Sequence, residues 1–239
     1  MQILLNRGLC EMECYLEQFD DNEYVIVSDF DGTITLEDSN VLLVKVFGNA
    51  ENALIETDFR SGMIGNREAF IRHFDAMQIT LRQYNDFIKD NIRVDPGFDA
   101  FLMYVRRRGT PLFIVSAGFR QAVEGVLGKV RLQDVEVFAN DLSGEPYITP
   151  DFLMEEPVCD KTTGPCGNCK RDCLKRIQQK SGRKVLYIGD GITDRCAVSE
   201  AELLFAKGAL ARYCDAKGLP YILYNDFADI TRWLGCQAP

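Results

Sequence analysis

The sequence predicts an α/β fold: a doubly wound, Rossmann-like parallel sheet core with a small helical cap inserted after the first core strand. Three observations predict it. Short runs rich in β-branched and aromatic residues recur at 24–30 (YVIVSDF), 111–116 (PLFIVS), 135–139 (VEVFA), 184–189 (KVLYIG), 203–206 (LLFA) and 221–224 (YILY). Each precedes a stretch of helical pattern, and that alternation is the signature of a parallel sheet wound with helices. The first run is apolar without alternation as far as Ser28, as expected of an interior strand covered on both faces. About eighty residues then separate it from the second run, far more than an ordinary βα connection needs, so something is inserted there.

The first strand ends in a pair of carboxylates, Asp29 and Asp31. Side chains at i and i+2 of an extended segment point the same way, so the pair would crowd two negative charges into a poorly solvated crevice. That arrangement asks for a metal ion between them. Three helical patterns follow, SNVLLVKVFG, NREAFIRHFDAM and TLRQYNDFIKDN, the last opened by a capping box of Thr80 and Gln83. Residues 36–92 are therefore expected to form the cap, and residues 1–35 with 93–239 the core. The core resumes with a helix that Pro96 suits at its start and Gly109 at its stop. Ahead of the first strand, Cys10 and Cys14 are spaced one helical turn apart.

With 239 residues and 46% hydrophobic content, the chain has material for one sizeable core and a small accessory unit. Twenty-seven Lys and Arg against 36 Asp and Glu give a net charge of −9, which disfavours a nucleic-acid partner. The apolar run at the start is too short for a signal peptide, and no stretch approaches a membrane span. No membrane partner and a cytoplasmic location are the expectation.

Ligands of open α/β sheets gather beyond the carboxyl ends of the strands. There the first strand offers Asp29, Asp31 and Thr33, and the second ends in Ser116, Ala117 and Gly118. That SAG segment is expected to open a helix whose N–H groups suit an anion. The KVLYIG strand leads into GDGITD, which adds Asp190 and Asp194. Four carboxylates, small hydroxyls and a helix end suit Mg²⁺ together with a phosphate. Such a substrate would meet a carboxylate nucleophile and a neighbouring carboxyl able to protonate the leaving oxygen. Lys170, opening a helix after a Gly/Pro-rich loop, supplies the missing cation.

DFDGT, the IVSAG serine, a lysine on a later helix and GDGITD, in that order, resemble the four motifs of the haloacid dehalogenase superfamily of phosphotransferases. The resemblance implies Asp29 as nucleophile and Asp31 as acid/base with its backbone carbonyl on the metal. It further implies Ser116 and Lys170 on the phosphoryl group and Asp190 on Mg²⁺, and the expected metal site comprises Asp29, Asp31, Asp190 and Asp194. The cap and the segment leading into IVSAGF look most like the phosphoserine-phosphatase branch. CGNCK is similar to the lysine segment of methionine-salvage and phosphoethanolamine/phosphocholine phosphatases. Asp38 and Arg72 lie at positions similar to those with which phosphoserine phosphatases hold the substrate's amino and carboxylate groups.

Nine cysteines, an odd number without a secretory signal, argue for thiols or metal ligands over a disulfide framework. Cys159, Cys166, Cys169 and Cys173 are spaced C-x6-C-x2-C-x3-C, open to a structural Zn²⁺ site, a redox dithiol or plain packing. His73, the single histidine, sits in a helical pattern and is expected to be an exposed or partly packed cap residue. Arg106, Arg107 and Arg108 end a helix and complement its dipole. The expected function is Mg²⁺-dependent hydrolysis of a small phosphorylated metabolite. A mutase-like phosphotransfer and a retired phosphatase scaffold are the alternatives, and the presence of both Asp29 and Asp31 speaks against the scaffold.

Overall fold

Strand β1 (Tyr24–Ser28) is buried at every residue and lies at the centre of a seven-stranded sheet. The computed structural model describes residues 19–154 and 163–237. Between β1 and β2 (Leu112–Phe119) come α1 (Ser39–Phe47), α2 (Ala50–Ser61), α3 (Asn66–Met77), α4 (Leu81–Asn91) and α5 (Phe98–Arg108). Then follow α6 (Arg120–Leu132), β3 (Glu136–Ser143), β4 (Thr149–Asp151), α7 (Lys170–Ser181) and β5 (Lys184–Gly189). The chain ends with β6 (Leu203–Ala206), α8 (Gly208–Lys217), β7 (Ile222–Leu223) and α9 (Phe227–Gln237). The strand order is β4-β3-β2-β1-β5-β6-β7, parallel throughout except that β4 pairs antiparallel with β3. Order reverses at β1, which pairs with both β2 and β5, so the crevice of a doubly wound sheet opens above Asp29.

The expected doubly wound sheet is present, with three local differences. The insert holds four helices rather than three. Helix α2 has its own capping box at Asn49 and Asn52, but apolar positions too sparse to announce it. The second strand runs on to Phe119, so α6 begins at Arg120 instead of at the SAG segment. Strand β4 is three residues of TPD, in which Pro150 and Asp151 disfavour a strand, and it pairs with the end of β3. The capping box at Thr80 and the stop at Gly109 stand as predicted.

The chain enters and leaves the four-helix insert side by side. Thr35 and Val94 form an antiparallel bridge, the Leu36 N–H donates to Arg93 O at 2.9 Å, and the Asp95 N–H to Ile34 O at 2.8 Å. A Glu37–Arg93 ion pair closes this neck. Phe119 then anchors the insert to the sheet. Its buried ring meets Phe70 and Phe74 edge-on, with centroids 5.0 and 5.2 Å away, and Tyr84 at 6.4 Å. Insert and sheet thus share one apolar cluster.

Candidate active site

Asp29 is the first residue past β1. Its N–H bonds Ile188 O on the neighbouring strand at 2.9 Å, and its Oδ1 accepts from the Phe30 N–H at 2.7 Å. Lys170, at the first turn of α7 and 2% exposed, places Nζ 2.6 Å from Asp29 Oδ1 and 2.6 Å from Asp194 Oδ1. The remaining lone pairs of Asp194 are taken up as well. Tyr187 donates its hydroxyl to Oδ1 at 2.5 Å, while the N–H groups of Asp190 and Gly191 donate to Oδ2 at 3.0 and 2.8 Å. Asp190 accepts from Thr33 Oγ1 at 2.9 Å. The turn between them needs Gly32, since its φ is +74° and a Cβ there would lie 2.7 Å from Asp190 Oδ2.

Oxygens of Asp29, Asp190 and Asp194 lie within 4.8 Å of one another, and among the described residues this is the one such group able to hold a metal ion. Burial, and then the Asp194 charge, push the Asp29 carboxyl well above its ordinary range, against the pull of Lys170. Asp190 is pushed up to about 6 by burial and by Asp194. Burial pulls the Lys170 ammonium down, but Asp194 and Asp29 more than offset it and hold it protonated.

Asp31 faces the other side of the crevice. Its Oδ1 accepts from the Ser39 N–H at 2.9 Å, and its Oδ2 from Asn40 Nδ2 at 3.3 Å and Ser116 Oγ at 3.5 Å. Burial and the nearby Asp38 push it up to about 7. Ser116 Oγ also accepts from the Gly118 N–H at 2.9 Å, so the SAG segment folds into its own small turn around the hydroxyl. Asn140 Nδ2 holds the Ala117 carbonyl at 2.8 Å.

Asp29, Asp31, Thr33, Ser116, Ala117, Gly118, Lys170, Asp190 and Asp194 thus meet at the carboxyl ends of β1, β2 and β5. The two cap candidates behave differently. Asp38 is the N-cap of α1, accepting from the Asn40 and Val41 N–H groups at 2.9 and 3.0 Å, close enough to Asp31 to raise it. Arg72 pairs with Asp58 at 3.5 Å and Glu68 at 3.7 Å on the α2–α3 surface. His73 is buried rather than exposed, accepting at Nδ1 from Asn52 Nδ2 at 3.0 Å, because α2 packs over it. Of the four-cysteine pattern, Cys159 lies outside the described residues, as do Cys10 and Cys14. Cys173 donates its thiol to Asn168 Oδ1 at 3.0 Å, and burial pushes that thiol up to about 12.

Asn168 was not legible as a site residue. It is 1% exposed and donates from Nδ2 to Ser116 O at 2.7 Å and to Phe138 O at 2.9 Å, two residues before Lys170. Tyr84 was also missed; its buried hydroxyl has no hydrogen-bond partner among the described residues and lies near enough to Asp31 to feel its charge.

The profile of the haloacid dehalogenase-like hydrolases matches residues 26–199. The chain belongs to that family. A 2-hydroxy-3-keto-5-methylthiopentenyl-1-phosphate phosphatase of Brevibacillus brevis is 33% identical over 214 residues, spanning 88% of this chain and 94% of its own length. The Pdp3-interacting factor 1 of Schizosaccharomyces pombe is 29% identical over 86% of this chain and 92% of its own. A substrate-bound phosphoserine phosphatase shares the fold with a TM-score of 0.66, over 88% of this chain and 97% of its own, at 18% identity. The haloacid dehalogenase-like chain described here is a phosphoric monoester hydrolase. Among its described residues no helix is long and apolar enough to cross a membrane.

Proposed function

We propose that this hydrolase cleaves a small phosphorylated metabolite, in the cytoplasm, through an aspartyl-phosphate on Asp29. The observation that carries the reading is the pairing of Asp29 with a buried Lys170 at 2.6 Å, in a crevice where three carboxylates crowd together. Both protein partners of Asp29 engage Oδ1, which leaves Oδ2 to face a phosphorus atom. The carboxylate set fits Mg²⁺, a hard cation that takes oxygen ligands. Side chains of Asp29 and Asp190 with the Asp31 carbonyl would hold it, and when bound it would neutralise charge on the phosphoryl oxygens and on the crowded carboxylates. In this reading Asp194 joins the acidic group chiefly through charge and position, since four donors already occupy its oxygens.

Ser116 and the Lys170 ammonium would hold phosphoryl oxygens. Asp31, pushed up to about 7, carries a proton near neutral pH and would donate it to the leaving oxygen; the resulting carboxylate then takes a proton from the water that hydrolyses the acyl phosphate. The insert of residues 36–92 would act as the cap, excluding water and meeting the leaving group. The substrate class follows the small organic phosphates for which relatives are named, the 2-hydroxy-3-keto-5-methylthiopentenyl-1-phosphate of the Brevibacillus enzyme and the polyol phosphate of a Saccharomyces cerevisiae phosphatase. The test is Asp29→Asn assayed with Mg²⁺ on a panel of phosphate monoesters. Turnover should vanish while the fold survives, because an amide cannot form the acyl phosphate. Near wild-type turnover in the variant would refute the assignment.

A further inference from the structure

Lys170 is held from two sides. From the sheet, Asn168 ties its segment to β2 and β3. From the insert, the first turn of α3 grips the same segment, and the reason lies in how that helix begins. Its N-cap is Gly65, which offers no side chain to the orphan N–H groups of the first turn. The carbonyl of Pro165 takes that place for one of them, and side-chain bonds of neighbouring residues add to the contact. The Arg67 N–H donates to Pro165 O at 3.4 Å and Asn66 Nδ2 to Cys166 O at 3.4 Å, while Thr163 Oγ1 donates to Gly62 O at 2.9 Å. The approach is so close that a Cβ on Gly65 would fall 1.8 Å from Thr163 O.

The Arg67 side chain reaches further. Its guanidinium lies 4.7 Å from the centre of the Phe152 ring and donates from Nη1 to Met154 O at 3.2 Å. Met154 is in turn wired to the lysine segment. Its N–H donates to Gly167 O at 2.8 Å, and its Sδ accepts from the N–H of Cys169, the N-cap of α7, at 3.4 Å. Lys170 is the next residue. An unbroken chain of contacts therefore runs from the insert through Arg67, Met154 and Cys169 to Lys170.

We propose that Arg67 is a positioning residue: it clamps the 152–154 and 163–169 segments onto α3, so that Lys170 takes its phosphoryl-binding position only when the insert is seated on the core. The inference rests on the reading of Lys170 as a phosphoryl ligand. It assigns the insert a part in the chemical step besides covering the substrate. Loosening the clamp weakens the grip on phosphate itself, whatever the leaving group.

The experiment uses the full chain with Mg²⁺ and measures inhibition by inorganic phosphate together with kcat and KM for p-nitrophenyl phosphate and a phosphorylated metabolite, well below the unfolding temperature. Arg67→Ala should weaken phosphate inhibition and lower kcat/KM on both substrates by a common factor of about tenfold. Arg67→Lys keeps a donor and a cation over Phe152 and should recover most of that loss. Lys170→Ala is the reference. If it leaves phosphate inhibition intact, the role given to Lys170 fails; if it abolishes inhibition while Arg67→Ala leaves it unchanged, the positioning role alone fails. A lowered Tm in Arg67→Ala with unchanged phosphate affinity would likewise overturn the proposal, by reducing Arg67 to a structural contact.

Discussion

Asn168→Ala removes one amide from the interior and leaves three groups in need of a partner. The carbonyls of Ser116 and Phe138 lose donors at 2.7 and 2.9 Å, and the Cys173 thiol loses its acceptor at 3.0 Å. Asn168 is 1% exposed, so water cannot readily replace the amide. A buried polar group left unpaired costs about 1–3 kcal/mol, and partial relaxation of two strand ends brings the expected total to roughly 2–4 kcal/mol. In a chain of this size that corresponds to a fall in Tm of about 5–15 °C. Urea unfolding followed by the fluorescence of the lone Trp233, buried against Phe205, measures the difference. Asn168→Asp sharpens the test. It preserves shape but turns an oxygen toward two carbonyl oxygens, so it should be less stable than Asn168→Ala at neutral pH. A loss below about 0.5 kcal/mol in the alanine variant, the size of an ordinary surface change, would refute the reasoning, as would an aspartate variant as stable as wild type.

Arg72→Ala should leave kcat/KM within about twofold of wild type on every substrate, because its ion pairs with Asp58 and Glu68 are partly exposed surface contacts; a selective loss on a carboxylate-bearing substrate would return it to the site. Tyr84→Phe should keep or raise Tm, since it deletes a buried hydroxyl with no partner among the described residues, and should raise KM if that hydroxyl meets substrate; a lower Tm would reveal a hydrogen bond to the protein. Burial lowers the pKa of His73, against the pull of Glu56, so the unfolded chain takes up this proton first as pH falls. Stability relative to His73→Asn should be full above the unfolded value near 6.5, decline as pH drops through the lowered folded value and level off below it; urea titrations at several pH values read this directly.

Most of the candidate rim was legible because its carboxylates and Ser116 lie at or just past the ends of apolar runs, where a buried parallel strand stops. Asp29, Ser116 and Asp190 are therefore fixed by local pattern. Asn168 was not, because its partners are backbone carbonyls of β2 and β3, and nothing in an isolated CGNCK indicates which carbonyls will lie overhead. The same limit hid the link between Arg67 and Met154, 87 residues apart in sequence. Helix α2 went unread because it buries only Asn52 and Ile55, leaving little apolar periodicity to detect. For Arg72 the resemblance gives a position but no direction for the side chain, which pairs with Asp58 and Glu68.

The neck at Thr35 and Val94 divides the chain into regions of unequal freedom to vary. Since the two passages bond to each other, the sheet experiences everything between them as the loop of a hairpin, and the entropy of closing a loop grows only slowly with its length. Residues can be added, lost or exchanged in that excursion without shifting the register that sets Ser28 between Ile114 and Ile188 and so places Asp29 just past it. A single residue inserted between Val27 and Asp29 would instead turn the carboxylate to the opposite face of the sheet. On the proposed function, new leaving-group preferences are open to this protein by drift within the excursion, while the same drift at the strand end would extinguish the chemistry.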